Sequence, residues 1–315
     1  MIDKKALCVG VNYYQNGNSL NSCVKDALNV SEILSTNEDS SPNFSVKKLL
    51  ISEEKDAISR EDLLNALEKL FMNDESIGLF YFSGHGAVKN NNAMLCCSDG
   101  SVVYLREVID IIEHSKVKNK IVVLDSCFAG GIGDFGVLND SSIIPKGTTI
   151  LTACSKTQTA LEDREGGIFT KLFVEAMKGG NADLVGNITV GSVYSYIDLA
   201  LGAWEQRPIL KTNVNNFVVL RKKKSSVSIE ELHNLVNLFD KEDYLFELDP
   251  TFEETQINAN PENVKKFKLL QKFNQEGVVV PVGCKYMYYA AIESKSCKLT
   301  EKGQLYWRLV KNNKM

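Results

Sequence analysis

The 315-residue chain is 44% hydrophobic and 24% charged, and 36 Lys and Arg against 40 Asp and Glu leave a formal charge of -4. These fractions belong to a globular protein and exclude a disordered chain, a collagen-like repeat or an extended coiled coil. The charge gives no general attraction to nucleic acid or an anionic membrane surface, and no apolar run approaches the roughly 18 residues of a membrane helix.

Taken in chain order, the first two-thirds alternate strand-like and helix-like segments. Residues 6–11 are short, apolar and glycine-ended, as a buried strand is. They break at Gly10 and Asn12, too soon for a signal-peptide core. Residues 26–34 carry a helical stripe at 27, 28, 30, 33 and 34, and 46–51 predict a second strand. Ser59-Arg-Glu-Asp62 is a capping box with Asp in place of the usual Glu or Gln, opening a helix with Leu63, Leu64, Leu67 and Leu70 on one face. Residues 77–82 and 120–124 are continuous apolar runs, the mark of parallel strands covered on both sides. A helix at 104–113 lies between them, and a strand at 148–153 and a helix at 169–177 follow. The pattern predicts an α/β fold, a mostly parallel central sheet with helices on both faces. Beyond a strand ending at Leu220, the basic segment 221–226 reads as a linker dividing the chain into 1–224 and 225–315. The second part predicts helices at 229–239 and 262–275, strands at 278–282 and 286–292, and a closing helix at 299–310.

The eight cysteines, Cys8, Cys23, Cys96, Cys97, Cys127, Cys154, Cys284 and Cys297, are scattered and form no CxxC pair. Free thiols and a cytoplasmic location are the expectation, and with no HxxxH spacing no zinc site is expected. His114 and His233 lie in segments that read as solvent-facing.

Two apolar strands end in reactive residues. Residues 79–82 run into Ser83-Gly-His-Gly86, and 121–124 into Asp125-Ser-Cys-Phe-Ala-Gly-Gly131. In parallel sheets the functional crevice lies beyond the carboxyl ends of the strands, so His85 and Cys127 are delivered to one edge, flanked by glycines that let the backbone turn sharply. A Cys beside a His can be held as thiolate, with the imidazolium protonating the leaving amine. The N–H groups of Gly86 and Cys127 can receive an oxyanion. Taken singly, either residue is more often structural; the paired, glycine-flanked pattern reverses that. A tyrosine-phosphatase loop is excluded because Gly133 stands where its Arg belongs, and neither a GxSxG elbow nor a GxxxxGK loop is present.

SGHG followed about 40 residues later by DSCFAGG resembles the caspase/metacaspase family of cysteine peptidases. The likeness covers residues 4 to about 220, including Asn12-Tyr-Tyr14, Ser22-Cys-Val-Lys-Asp-Ala27, Thr152-Ala-Cys-Ser155 and Gly167-Ile-Phe-Thr-Lys-Leu-Phe173. It implies a caspase-haemoglobinase fold with a large-subunit-like part (1–132), a linker (133–147) and a small-subunit-like part (148–224). It implies peptide hydrolysis through a thioester, with His85 as acid/base, oriented by backbone, and Cys127 as nucleophile. Asp125 and Phe128 replace the caspase Gln and Arg, and a carboxylate there attracts Lys or Arg and repels Asp. Cys23, Asp26, Ser83 and Asp125 match the metacaspase pocket for a basic side chain, although Asp26 also reads as a helix N-terminal acid favoured by the macrodipole. Asp99 and Asp134 match two ligands of the metacaspase calcium site. The acids expected just after Asp99 are replaced by Ser101-Val-Val-Tyr104, and a hard cation wants six or more oxygens; no cofactor and calcium independence are expected. Lys146 and Arg221 to Lys224 are candidate self-processing points, or plain solvated linker.

Residues 225–315 loosely resemble a winged helix. Residues 227–262 carry a balance of -9 and 263–315 one of +8. A regulatory protein partner is expected there, with nucleic acid the lesser candidate, no membrane, and the Tyr286-Met-Tyr-Tyr289 aromatics read as core. By analogy with bacterial caspase homologues that carry appended sensors, a defence or cell-death role is implied. The alternative is a catalytically silent caspase-like scaffold whose C-terminal domain binds a protein or nucleic acid.

Overall fold

The computed structural model describes residues 3–90, 92–126, 128–129, 144–153, 167–201 and 208–315. The chain divides into two compact units, Met1–Lys223 and Lys224–Met315.

The first unit is built on β1 (Lys4–Val11), α1 (Cys23–Ser35), β2 (Ser45–Ile51), α2 (Arg60–Phe71), β3 (Ile77–Ser83), β4 (Gly86–Lys89), β5 (Asn92–Cys96), β6 (Val102–Tyr104), α3 (Leu105–Glu113), β7 (Asn119–Asp125), β8 (Phe128–Ala129), β9 (Thr148–Thr152), α4 (Ile168–Glu175), β10 (Asn187–Thr189), α5 (Val190–Ala200), β11 (Ile209–Asn213) and β12 (Val219–Lys222). Six strands form the central sheet in the order β11-β9-β7-β3-β1-β2. All neighbours are parallel except β11, which runs antiparallel to β9 at the edge.

This is the mostly parallel α/β fold that the sequence predicts, and side-chain alternation builds its layers. From β3, Phe80 and Phe82 join Leu67 and Phe71 of α2 and Val108 and Ile112 of α3 in one core. Leu79 and Tyr81 join Ala27 and Val30 of α1, Phe173 of α4 and Ile197 of α5 in the other. The Ser59–Asp62 capping box is formed, the Ser59 hydroxyl accepting from the Asp62 amide. Gly10 is required where β1 meets α1, since a Cβ there would stand 2.3 Å from the Cys23 carbonyl oxygen.

Two small sheets flank the large one: β6-β5-β4-β8, and β10 with β12. The strand expected to end at Leu220 therefore lies outside the central sheet, and the expected linker 221–226 begins two residues late. Arg221 and Lys222 belong to β12; Arg221 is buried, its guanidinium donating to the carbonyls of Thr36 and Met177, both 2.9 Å away.

The second unit comprises α6 (Ile229–His233), α7 (Leu235–Leu238), β13 (Phe246–Glu247), α8 (Pro261–Gln275), β14 (Val279–Val282), α9 (Met287–Ile292), β15 (Ser296–Leu299) and α10 (Glu301–Lys311), with an antiparallel sheet ordered β13-β15-β14. The strand expected at 286–292 is a helix. Met287, Ala290 and Ala291 are buried at helical spacing while Tyr286, Tyr288 and Tyr289 are exposed, so these tyrosines are surface and not core. β14 and β15 are consequently joined through α9, and the likeness to a winged helix does not extend to that connection. Trp307 anchors the unit, its indole N–H donating to the Phe239 carbonyl at 2.7 Å.

Candidate active site

β3 and β7 are adjacent and parallel, with Ser83 opposite Asp125 at their carboxyl ends. Just beyond, β4 pairs parallel with β8, placing Gly86 opposite Phe128. His85 lies between the first of these pairs and the second along β3–β4. Cys127 lies outside the described residues, as does Asp134; Asp125, two residues before Cys127, and Phe128, just after it, are registered against Ser83 and Gly86, two residues before and one after His85. The four short strands around this turn had no periodicity in the sequence, being two to five residues long.

His85 is half-buried and tightly oriented. Its Nε2 lies 2.6 Å from the Asn18 carbonyl oxygen. A carbonyl only accepts, so Nε2 carries the hydrogen and Nδ1 is the ring's acceptor nitrogen. The His85 backbone N–H donates to Tyr14 Oη at 2.7 Å, and the two rings stand 4.6 Å apart. Burial pushes the Tyr14 phenol up, so it stays protonated. Gly84 is needed beneath it, where a Cβ would approach that oxygen to 2.7 Å. Asn18 acts through its carbonyl, which any residue supplies, and so left no mark in the sequence.

A second cluster adjoins the first. Asp26, in the first turn of α1, is 2% exposed, as is Ser83; Cys23 is buried beside them, and Asp125 is half-buried. The N–H of Gly167 donates to Asp26 Oδ2 at 3.2 Å, and the Thr170 hydroxyl donates to Asp125 Oδ2 at 2.5 Å. A Cβ on Gly167 would lie 2.8 Å from Asp125 Oδ2 and 3.5 Å from Asp26 Oδ2, so both carboxylates converge on the start of α4. Burial, then the charge of Asp125, raise Asp26 to about 7; burial raises Asp125 to about 6. Asp26 therefore reaches across to another element, unlike an ordinary solvated N-terminal acid.

Other candidates fall elsewhere. Asp99 Oδ1 accepts from the Ser101 amide at 2.9 Å and from its hydroxyl, committing it to a turn. Among the described residues no group of three or more His, Cys, Asp or Glu side chains is placed to hold a metal. His114 caps α3 and His233 ends α6; both are exposed. Lys146 is exposed, but the amide after it donates to the Asn213 carbonyl at 2.8 Å. No described helix is long and apolar enough to cross a membrane.

A profile described as Caspase domain matches residues 3–239. Among solved structures the chain is similar to protein GSU0716 from Geobacter sulfurreducens, with 18% identity and a TM-score of 0.52 over 70% of this chain and 97% of that one. It is also similar to caspase-1 from Spodoptera frugiperda, with 16% identity and a TM-score of 0.50 over 71% of this chain and 92% of that one. No curated protein sequence matches.

Proposed function

Because the chain belongs to the caspase family of cysteine peptidases, we propose that it is an endopeptidase that cleaves after Arg or Lys through Cys127 and His85. The observation that carries this reading is the double register, Ser83 with Asp125 and Gly86 with Phe128, on either side of the two residues. In the proposed reaction the Cys127 thiolate attacks the scissile carbonyl. The resulting oxyanion is received by the N–H groups of Gly86 and Cys127. The C–N bond then breaks as imidazolium His85 gives its Nδ1 proton to the leaving amine, leaving a thioester. His85, held by the Asn18 carbonyl through Nε2–H, next takes a proton from water, which hydrolyses the thioester and frees Cys127.

Specificity follows from Asp26 and Asp125, two carboxylates converging on one pocket wall, which favour a cationic side chain and oppose an acidic one. Fluorogenic peptides ending in Arg, Lys or Asp test both parts. Turnover of the Arg and Lys peptides, absent in Cys127→Ala and His85→Ala, is expected. No turnover of any peptide, with calcium supplied, would sink the enzyme and favour the scaffold reading; preference for Asp would overturn the pocket alone.

For the second unit we propose a partner-binding, regulatory role, including any part in defence. Tyr286, Tyr288 and Tyr289 are 54%, 44% and 47% exposed, and large exposed aromatics grouped together mark recognition surfaces. Fluorescence anisotropy with a labelled single-stranded oligonucleotide separates the two partner classes: no binding is expected of a protein-recognising surface.

A further inference from the structure

The carboxylate of Asp125 is the end of a short chain of hydroxyls that begins at Tyr81. Tyr81 Oη and Thr170 Oγ1 are 2.5 Å apart, and the Thr170 hydroxyl has its one hydrogen on Asp125 Oδ2. Thr170 is therefore the acceptor from Tyr81, which fixes the direction of both bonds: Tyr81 to Thr170 to Asp125. Tyr81 and Thr170 are both 1% exposed or less, so no water competes for these hydrogens. A buried chain with all its donors pointing one way polarises cooperatively toward its terminal acceptor.

We propose that Tyr81 and Thr170 are positioning residues of the basic pocket, which aim Asp125 and hold it charged for the substrate's cation. The proposal rests on the reading of Asp26 and Asp125 as that pocket. Four elements meet here: α1 brings Asp26 with Lys25, β3 brings Tyr81, β7 Asp125, and α4 Thr170. Lys25, Glu32, Lys171 and Glu175 line the groove beside Asp26. Of these groups Asp26 opposes the charge of Asp125, and the chain of donors offsets that opposition.

The test uses matched peptides ending in Arg or in citrulline, its neutral isostere, so that effects on Cys127 and His85 cancel in the ratio of kcat/KM. Wild type should favour Arg increasingly as pH rises through 6 to 7. Thr170→Val should lower the ratio about tenfold, the scale of a hydrogen bond to a charged group, and Tyr81→Phe, one bond removed from the carboxylate, by less; both should move its rise to higher pH, and Thr170→Ser should restore ratio and midpoint. Equal losses on the two peptides, with the ratio and its pH midpoint unmoved, would overturn the proposal and leave the hydroxyls a packing role. Asp125→Asn separates the underlying reading: a ratio unchanged by that substitution removes the pocket itself. Carboxyl carbon NMR of Asp125 in Cys127→Ala protein gives an answer without turnover, since Thr170→Val should raise its titration midpoint and an unshifted midpoint refutes the role.

Discussion

His85 gives its Nε2–H to the Asn18 carbonyl and its backbone N–H to Tyr14 Oη, so both the ring's tautomer and the turn that carries it are fixed from the loop after β1. Tyr14→Phe leaves that N–H without an acceptor, a loss of about 1–3 kcal/mol when such a group is buried. It is expected to lower kcat on an Arg peptide about tenfold with KM little changed; steady-state kinetics beside a circular dichroism spectrum checks this. Asp26 supplies a prediction on stability. Its midpoint of about 7 in the folded chain lies above the ordinary carboxylate value of about 4, so folding is favoured while it is protonated. That contribution is complete below about pH 4 and is lost as pH rises through about 7. Asp26→Asn should therefore be more stable than wild type at pH 8, by on the order of 1–3 kcal/mol, with the two converging toward pH 4 in urea titrations. His85 and Asp26 were legible as residue types in a motif; Asn18 was not, because a backbone carbonyl is common to every residue.

The long elements were legible because burial on both faces writes itself as a run of apolar residues. β3 and β7 fall where such runs predict them, extended at their carboxyl ends by Ser83 and Asp125 of the candidate site. Strands of two to five residues, such as β4, β5 and β8, are too short to show a period, and β8 is held by a partner, β4, about 40 residues away in sequence. α9 was misread for a related reason: a six-residue helix with adjacent tyrosines fits either period, and the buried Met287, Ala290 and Ala291 decide it. At the level of elements, the close passage of β1 over α1 predicts that Gly10→Ala is severe. The added carbon would meet backbone, the Cys23 carbonyl oxygen at 2.3 Å, which no side-chain rotation relieves. A loss of about 3 kcal/mol or more is expected, read as a lower urea midpoint, with Gly17→Ala losing less because only its positive φ and not its space is at stake.

At the scale of the whole molecule, the boundary at Lys223 and Lys224 separates a unit that carries the family's fold from one whose part is regulatory in our reading. Arg221 marks the difference between a basic sequence and a cleavable one. Its guanidinium binds the carbonyls of Thr36 and Met177 inside the first unit, whereas Lys222, Lys223 and Lys224 are exposed. Brief native digestion with trypsin is thus expected to yield fragments ending at Lys223 or Lys224 and none ending at Arg221, as mass spectrometry of the products would show. Fragments ending at Arg221 would mean that β12 opens readily.

The sequence by itself determined the class of fold and the two strands that lead to His85 and Cys127, and it supplied Asp26 and Asp125, the acids on which our reading of the pocket rests. These are properties of residue type and local period, and they need no neighbour to be read. Only the tertiary structure decided that β12 leaves the central sheet, that Met287–Ile292 is a helix with its tyrosines outward, and that Asn18 and Tyr14 bond His85 while Gly167 bonds Asp26 and Thr170 bonds Asp125. Each of those depends on a hydrogen bond or a packing contact between segments far apart in the chain, and such contacts exist only once the layers have closed around the sheet.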